Sequence, residues 1–124
     1  MSGAFVRIRN GGALPLAKLP EAGFDAFRGE LLGELAAGRR LVAFFAAPVD
    51  GAAAELWAVV AADGPGTLSF ARTRLPDDRF PSLTPAAPQA HLFEREMAEQ
   101  LGLKPQGHPW LKPVRYRPSW RPGH

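Results

Sequence analysis

The residues best suited to chemistry in this chain are two glutamates and a histidine. The run Glu94-Arg95-Glu96 places two carboxylates in a predicted helix, and His108 follows in a Gly-His-Pro turn. Carboxylates and imidazoles are the groups that enzymes most often use for general acid–base catalysis. One hypothesis is therefore a small stand-alone hydrolase or transferase that uses His108 together with Glu96.

The same residues also have structural interpretations. Arg95 and Glu99 are four residues apart, a spacing that lets opposite charges pair on an exposed helix face. Alternatively, Glu94 or Glu96 is partly buried, and its carboxylate then needs a cationic or backbone partner. Such a residue would position the chain that follows the helix and would not catalyse a reaction. For His108 the corresponding interpretation is a turn residue that hydrogen-bonds to the backbone.

Composition limits the remaining classes of function. The 124 residues include 46% apolar and 22% charged residues, which is typical of one globular domain. The absence of cysteine excludes disulfides, iron–sulfur clusters and thiolate zinc sites within this chain. No apolar run approaches the roughly 20 residues that span a bilayer.

Positive charge is concentrated at the C-terminal end. The net charge is +3, and no acidic residue follows Glu99, whereas five basic residues do: Lys104, Lys112, Arg115, Arg117 and Arg121. Aromatic residues lie among them, so a nucleic-acid-binding module is one interpretation. Because the charges are sparse, docking on an acidic protein surface, or plain solvation of the charges, is favoured over binding to nucleic acid.

The apolar pattern predicts an α+β fold. Residues 24–37 follow helical spacing, and three strand-like runs separated by Gly-rich turns follow, at 41–47, 55–62 and 67–74. Together with a short strand at 5–9, these predict a mainly antiparallel sheet with a helix packed on it. A second helix is predicted at 88–101.

Finer expectations concern individual positions. In the last of these strands, Leu68 and Phe70 are expected to face the core, whereas Ser69 and Arg72 need not. Thr84 is a candidate N-cap for the second helix. Gly102 suits the position that ends this helix in a left-handed conformation.

Prolines dominate the end of the sequence and predict an extended, basic tail. Nine of the 13 prolines lie at or after Pro76. We therefore expect an α+β core domain at 1–103 and an extended tail at 104–124. Because the large apolar residues of this tail are costly to leave in water, we expect the tail to lie against another surface.

Four short motifs in this region resemble those of one protein family. They are Phe80-Pro81-Ser82-Leu83-Thr84, Phe93-Glu94-Arg95-Glu96, Leu101-Gly102-Leu103 and Gly107-His108-Pro109. Their combination resembles the thirty-kilodalton subunit of respiratory complex I, the NADH-quinone oxidoreductase. Members of that family usually continue after Gly-His-Pro with Asp-Leu-Arg-Arg. Here Trp110 follows, a departure similar to the related domain of membrane-bound group 4 nickel–iron hydrogenases.

The resemblance implies a peripheral subunit or domain with no catalytic residue, cofactor or metal of its own. It implies packing on the large subunit of complex I or of the hydrogenase, and an indirect, cytoplasmic association with the inner membrane through the complex. Two arrangements fit, a separate subunit and the first part of a longer chain. The residues expected to shape the fold or bind the partner are Glu94, Arg95, Glu96, Gly102, Gly107, His108, Pro109, Trp110, Arg115, Tyr116 and Trp120.

Overall fold

The computed structural model describes residues 4–121, which form two α-helices and seven β-strands. The helices are α1 (Phe24–Ala36) and α2 (His91–Leu101). The strands are β1 (Val6–Arg9), β2 (Glu21–Ala22), β3 (Arg40–Ala47), β4 (Ala54–Ala62), β5 (Thr67–Leu75), β6 (Arg79–Pro81) and β7 (Lys104–Gln106). Short 3-10 helices occur at Leu16–Lys18 and Pro88–Ala90. The predicted α+β class is confirmed.

The main sheet has five strands. The three long strands β3, β4 and β5 form an antiparallel meander with β4 in the middle, as the turns predict. β1 pairs antiparallel with the first half of β5, and β2 pairs parallel with the second half. β3 is therefore one edge of the sheet.

A single hydrophobic core joins the two helices to this sheet. Phe27 and Leu31 of α1 and Met97 and Leu101 of α2 are buried in one cluster with Phe44 of β3. The rings of Phe27 and Phe44 lie 6.3 Å apart between centroids. α1 packs mainly on β5 and α2 mainly on β3, so the two helices divide one face of the sheet between them.

The prediction that Leu68 and Phe70 face this core is wrong. The buried residues of β5 are instead Ser69, Ala71, Thr73 and Leu75. Most of these side chains are small, and they leave room for α1 to approach the strand. Leu68 and Phe70 lie on the opposite face and are half-buried, in register with Ala61 and Val59 of β4.

A second, two-stranded sheet brackets α2. β6 precedes the helix, β7 follows it, and the two strands pair in parallel through Phe80 and Pro105. Phe80 is buried, and its ring lies 6.0 Å from that of Phe24 in α1. This packing ties the entry and the exit of α2 to each other and to the core.

The prediction for the C-terminal end of α2 is confirmed, and the prediction for its N-terminal end is wrong. Gly102 ends the helix in the left-handed conformation with φ of 67°, as expected. At the start, a 3-10 turn with Pro88 in its first position leads into His91. The N-cap prediction for Thr84 is wrong, because no side chain caps this end and Thr84 contacts Glu94 instead.

After β7, residues 107–121 have no regular secondary structure and run along α2; we call them the C-terminal arm. The predicted tail at 104–124 thus includes β7, and its last three residues lie outside the described range. The boundary at 103 stays a prediction. Within residues 4–121, no helix has the length and apolar character needed to cross a membrane.

Candidate functional site

Glu94 is the most deeply buried charged side chain described, with 0% of its surface exposed. Its carboxylate accepts hydrogen bonds from the Ser82 hydroxyl at 2.6 Å and the Thr84 hydroxyl at 2.6 Å. The backbone amide of Leu83 donates a third at 2.8 Å. Of the two interpretations of this glutamate, burial is therefore correct, and its partners are two hydroxyls and a backbone amide.

Local structure explains why Glu94 meets this loop. Glu94 lies on the inner face of α2, one turn before Met97. The loop is fixed where it leaves β6, since the Ser82 amide donates to Gln106 at 2.8 Å and Arg28 donates to the Ser82 carbonyl at 3.2 Å. The carboxylate therefore holds the entry into α2, and its hydrogen-bonding capacity is used for that purpose.

Arg95 points to the other side of the helix and contacts the arm. Its guanidinium donates to the carbonyls of Lys112 at 2.9 Å and Pro113 at 3.3 Å. It also lies 4.9 Å from the ring centroid of Trp110, a cation–π arrangement. The predicted pairing of Arg95 with Glu99 is wrong, because both side chains bind the arm and not each other.

Glu99 is surrounded by backbone amides of the arm. Val114, Arg115 and Arg117 donate to its carboxylate at 2.5, 2.8 and 2.7 Å. Successive amides converging on one anion form the arrangement known as a nest. Desolvation acts to raise the pKa of Glu99, but the hydrogen bonds from the Arg115, Arg117 and Val114 amides outweigh it. The pKa of Glu99 is therefore below its ordinary value.

Glu96 completes the set of carboxylates on this face of α2. It accepts a hydrogen bond from the Arg115 side chain at 2.6 Å and one from Gln100 at 3.1 Å. The hydrogen bond to Glu96 and the attraction between the two charges raise the pKa of Arg115. Arg115 is thus held by Glu99 through its amide and by Glu96 through its side chain.

The last residues of the arm bind the C-terminal end of α2. A helix leaves its final carbonyls without helical partners. Ser119 and the Trp120 amide donate to the Gln100 carbonyl at 3.1 and 2.5 Å. Arg121 donates to the carbonyls of Leu101 and Gly102 and to Asp78. The arm therefore follows α2 in the direction of the helix, with polar contacts along its length.

The large side chains of the arm face solvent. Trp110 is 55% exposed, Tyr116 81% and Trp120 70%. The tail lies against a surface as expected, because its backbone lies on α2, but the expectation that this contact would cover its large apolar side chains is wrong. Its rings, in contrast, are available for contact with another molecule.

His108 is a turn residue. Gly107 before it has φ of 84°, and Pro109 follows. One ring nitrogen of His108 lies 3.2 Å from the His91 carbonyl oxygen, and the other accepts from the Trp110 amide at 3.1 Å. The geometry thus gives His108 and Glu96 separate structural partners, and it does not join them into a catalytic pair. Among residues 4–121 no cluster of potential metal ligands occurs.

The predicted residues therefore form three groups. Glu94 binds the entry loop. The contact between α2 and the arm contains Arg95, Glu96, Trp110, Arg115, Tyr116 and Trp120. Gly102, Gly107, His108 and Pro109 lie in the turns that end α2 and begin the arm. Sequence reasoning missed Glu99, Gln100, Asp78, Ser82 and Thr84 as contact residues. One signal was available: Glu99 is the last acidic residue before an entirely basic tail.

Comparison with known proteins identifies the family of the chain. A search of curated proteins finds no significant match to the chain. The model of the family described as respiratory-chain NADH dehydrogenase, 30 Kd subunit, matches residues 59–124. This range is slightly more than half of the chain and contains both the Glu94 loop and the α2–arm contact. The chain belongs to this family of complex I-like oxidoreductase subunits.

Proposed function

We propose that this chain is a peripheral, non-catalytic subunit that packs on the large subunit of its oxidoreductase complex through the C-terminal arm. One observation carries the proposal: the backbone of the arm is bound to α2 while its aromatic side chains face outward. A segment ordered in this way loses less entropy when it binds, because its conformation is set beforehand.

The chemistry of the arm indicates the kind of surface it fits. Trp110, Tyr116 and Trp120 supply large rings, which are enriched at protein interfaces. All charged residues after Glu99 are basic. We therefore expect apolar pockets on the partner with an acidic rim.

A nucleic-acid partner would bind these basic residues through its phosphates, and would need their charges to be free of carboxylate partners. Arg115 pairs with Glu96 at 2.6 Å, and Lys104 and Arg121 lie 3.5 and 3.3 Å from Asp78. Pairing with carboxylates reduces the positive charge that β7 and the arm can offer to nucleic acid. This favours a protein partner over a nucleic-acid partner.

The proposed partner implies a cellular location for the chain and leaves two types of complex. Bound to the large subunit, the chain would lie on the cytoplasmic side of the inner membrane and be held there by the complex. We propose that the complex is either complex I or a group 4 hydrogenase, and the Trp110 departure favours the hydrogenase. Co-purification with the large subunit, followed by analysis of that subunit for nickel, distinguishes the two.

Association with the large subunit tests the proposal directly. The chain is co-expressed with a tagged large subunit of the same complex, either at full length or truncated after Pro109. Ending at Pro109 keeps β7, which pairs with β6 and holds the core together. We expect the truncated chain to fold and to lose association. If it is retained on the large subunit as well as the full-length chain, the arm is not the docking element.

A further inference from the structure

Tyr116 has an unusual backbone conformation. Its φ is 60°, and it is the one non-glycine residue in the described range with a positive φ. A bulky side chain in this left-handed region is uncommon and costs free energy, so the surrounding structure must hold it there. Such outliers are concentrated at functional positions.

Hydrogen bonds to Glu99 hold the backbone of this turn. The amides of Arg115 and Arg117, on either side of Tyr116, both donate to its carboxylate, at 2.8 and 2.7 Å. A left-handed residue between right-handed or extended ones is what turns successive amides toward one anion. The left-handed conformation of Tyr116 therefore allows the amides on either side of it to bind Glu99, and these hydrogen bonds in turn stabilise that conformation.

The ring of Tyr116 is directed away from this turn into solvent. It is 81% exposed, the highest value among the exposed large apolar residues. Trp110 has cation–π contacts with Arg95 and Lys112, whereas no ring or cation contact within residues 4–121 involves Tyr116. Arg117 follows it, and within the same range no carboxylate forms a salt bridge with the Arg117 side chain.

From this arrangement we propose that Tyr116 is the anchor of the partner interface, and that the Glu99 nest fixes the backbone from which its ring projects. The inference rests on the proposed function and specifies its contact. The partner it fits is a protein surface with a pocket for one aromatic ring and an acidic group at the rim for Arg117. A rigid tyrosine offers large contact area at low entropic cost, which is typical of dominant interface residues.

Glycine at position 116 separates the ring from the turn. Tyr116→Gly removes the ring but accepts a positive φ without strain, so the arm should remain bound to α2. Tyr116→Asn serves as a second variant without the ring, because asparagine also tolerates this conformation. Retention of the nest is checked by hydrogen exchange of the Arg115 and Arg117 amides.

The measurement is the Kd of each full-length variant for the purified large subunit. We expect both ring-less variants to raise Kd about tenfold or more. Leu16→Ala, which alters an exposed residue outside the arm, should leave Kd unchanged. Wild-type affinity in Tyr116→Gly and Tyr116→Asn would overturn the anchor.

Glu99→Gln tests the role of the nest while keeping the ring. We expect Kd to rise several-fold as the turn loosens, and wild-type affinity would overturn the claim that the nest presents Tyr116. The two proposals fail differently. If truncation after Pro109 abolishes association but the ring-less variants bind normally, the arm docks without this anchor. If truncation also has no effect, the proposed function fails as well.

Discussion

The hydroxyl of Thr84 donates a 2.6 Å hydrogen bond to the carboxylate of Glu94, and both residues are buried. Ser82 donates to the same carboxylate oxygen at 2.6 Å. This contact is the main polar tie between α2 and the loop that enters it.

Glu94→Ala should destabilise the fold strongly. The substitution leaves two hydroxyls and the Leu83 amide without their acceptor, and each orphaned buried group costs about 1–3 kcal/mol. We expect the free energy of unfolding to fall by about 3 kcal/mol or more, measured by urea denaturation. Glu96→Ala on the same helix is the control and should have a much smaller effect. Equal effects of the two substitutions would contradict the role assigned to Glu94.

Gly102→Ala should also be destabilising, and by a different mechanism. At φ of 67° an L-residue pays a conformational penalty of about 1 kcal/mol. Gly33→Ala provides the opposite control, because Gly33 lies within α1 and an added Cβ meets nothing within 4 Å. There alanine should stabilise the protein by about 0.5–1 kcal/mol. Thermal unfolding of both variants should therefore shift in opposite directions; shifts of the same sign would show that position 102 is not set by its backbone conformation.

Acidification should release the arm through Glu99. Its pKa is lower in the folded chain than in the unfolded chain. The stabilisation is therefore complete above the unfolded-state pKa of about 4.3 and is lost as the pH falls through the lower folded-state pKa. Tryptophan fluorescence of Trp110 and Trp120 can follow the release, with far-UV circular dichroism to confirm that the core stays folded.

The variant Glu99→Gln provides the comparison for this titration. Without the ionisable group, the arm should be loose at neutral pH and should show no corresponding fluorescence transition. An identical acid transition in the variant would assign the release to another group, such as Asp78, whose carboxylate lies 3.3 Å from the Arg121 side chain of the arm.

Arg95→Lys should loosen the start of the arm without affecting the core. The guanidinium reaches two carbonyls at once and lies 4.9 Å from the Trp110 ring centroid, a combination that lysine does not reproduce. We expect faster hydrogen exchange at the amides of residues 110–112 and of Val114, and an unchanged melting temperature. Arg117→Lys is the matched control and should change neither quantity, and equal exchange rates in the two variants would argue against this role for Arg95.

Local patterns in the sequence were sufficient for the two helices, β1 and the meander, whereas the short strands β2, β6 and β7 were not predicted. Helical spacing predicts 24–37, and α1 spans Phe24–Ala36, because its apolar residues face the sheet. The strands of the meander were also placed to within a residue or two, because turn residues separate them. These features depend on residues close together in the sequence, so their spacing can be read from the sequence alone.

Contacts between distant residues were less predictable. Alternation in β5 indicates two faces, but which face α1 covers depends on small side chains such as Ala71, so Leu68 was assigned to the wrong side. Threonine is a residue type favoured at helix N-caps, yet the hydroxyl of Thr84 donates to the buried carboxylate of Glu94, ten residues later. Likewise Glu99 has a suitable cation within one helical turn, but amides 15 to 18 residues away are better partners.

The parallel pairing of β6 and β7 has a mechanical consequence. The two strands close a loop around α2, and the arm begins directly after β7. A partner that pulls on the arm at Tyr116 first loads the hydrogen bonds to Glu99 and the contacts at Gln100 and Leu101, and then the β6–β7 ladder. The five-stranded sheet is loaded only after these contacts and the ladder. We therefore expect tension from the partner to be carried by residues 79–121 and to leave the five-stranded sheet undistorted.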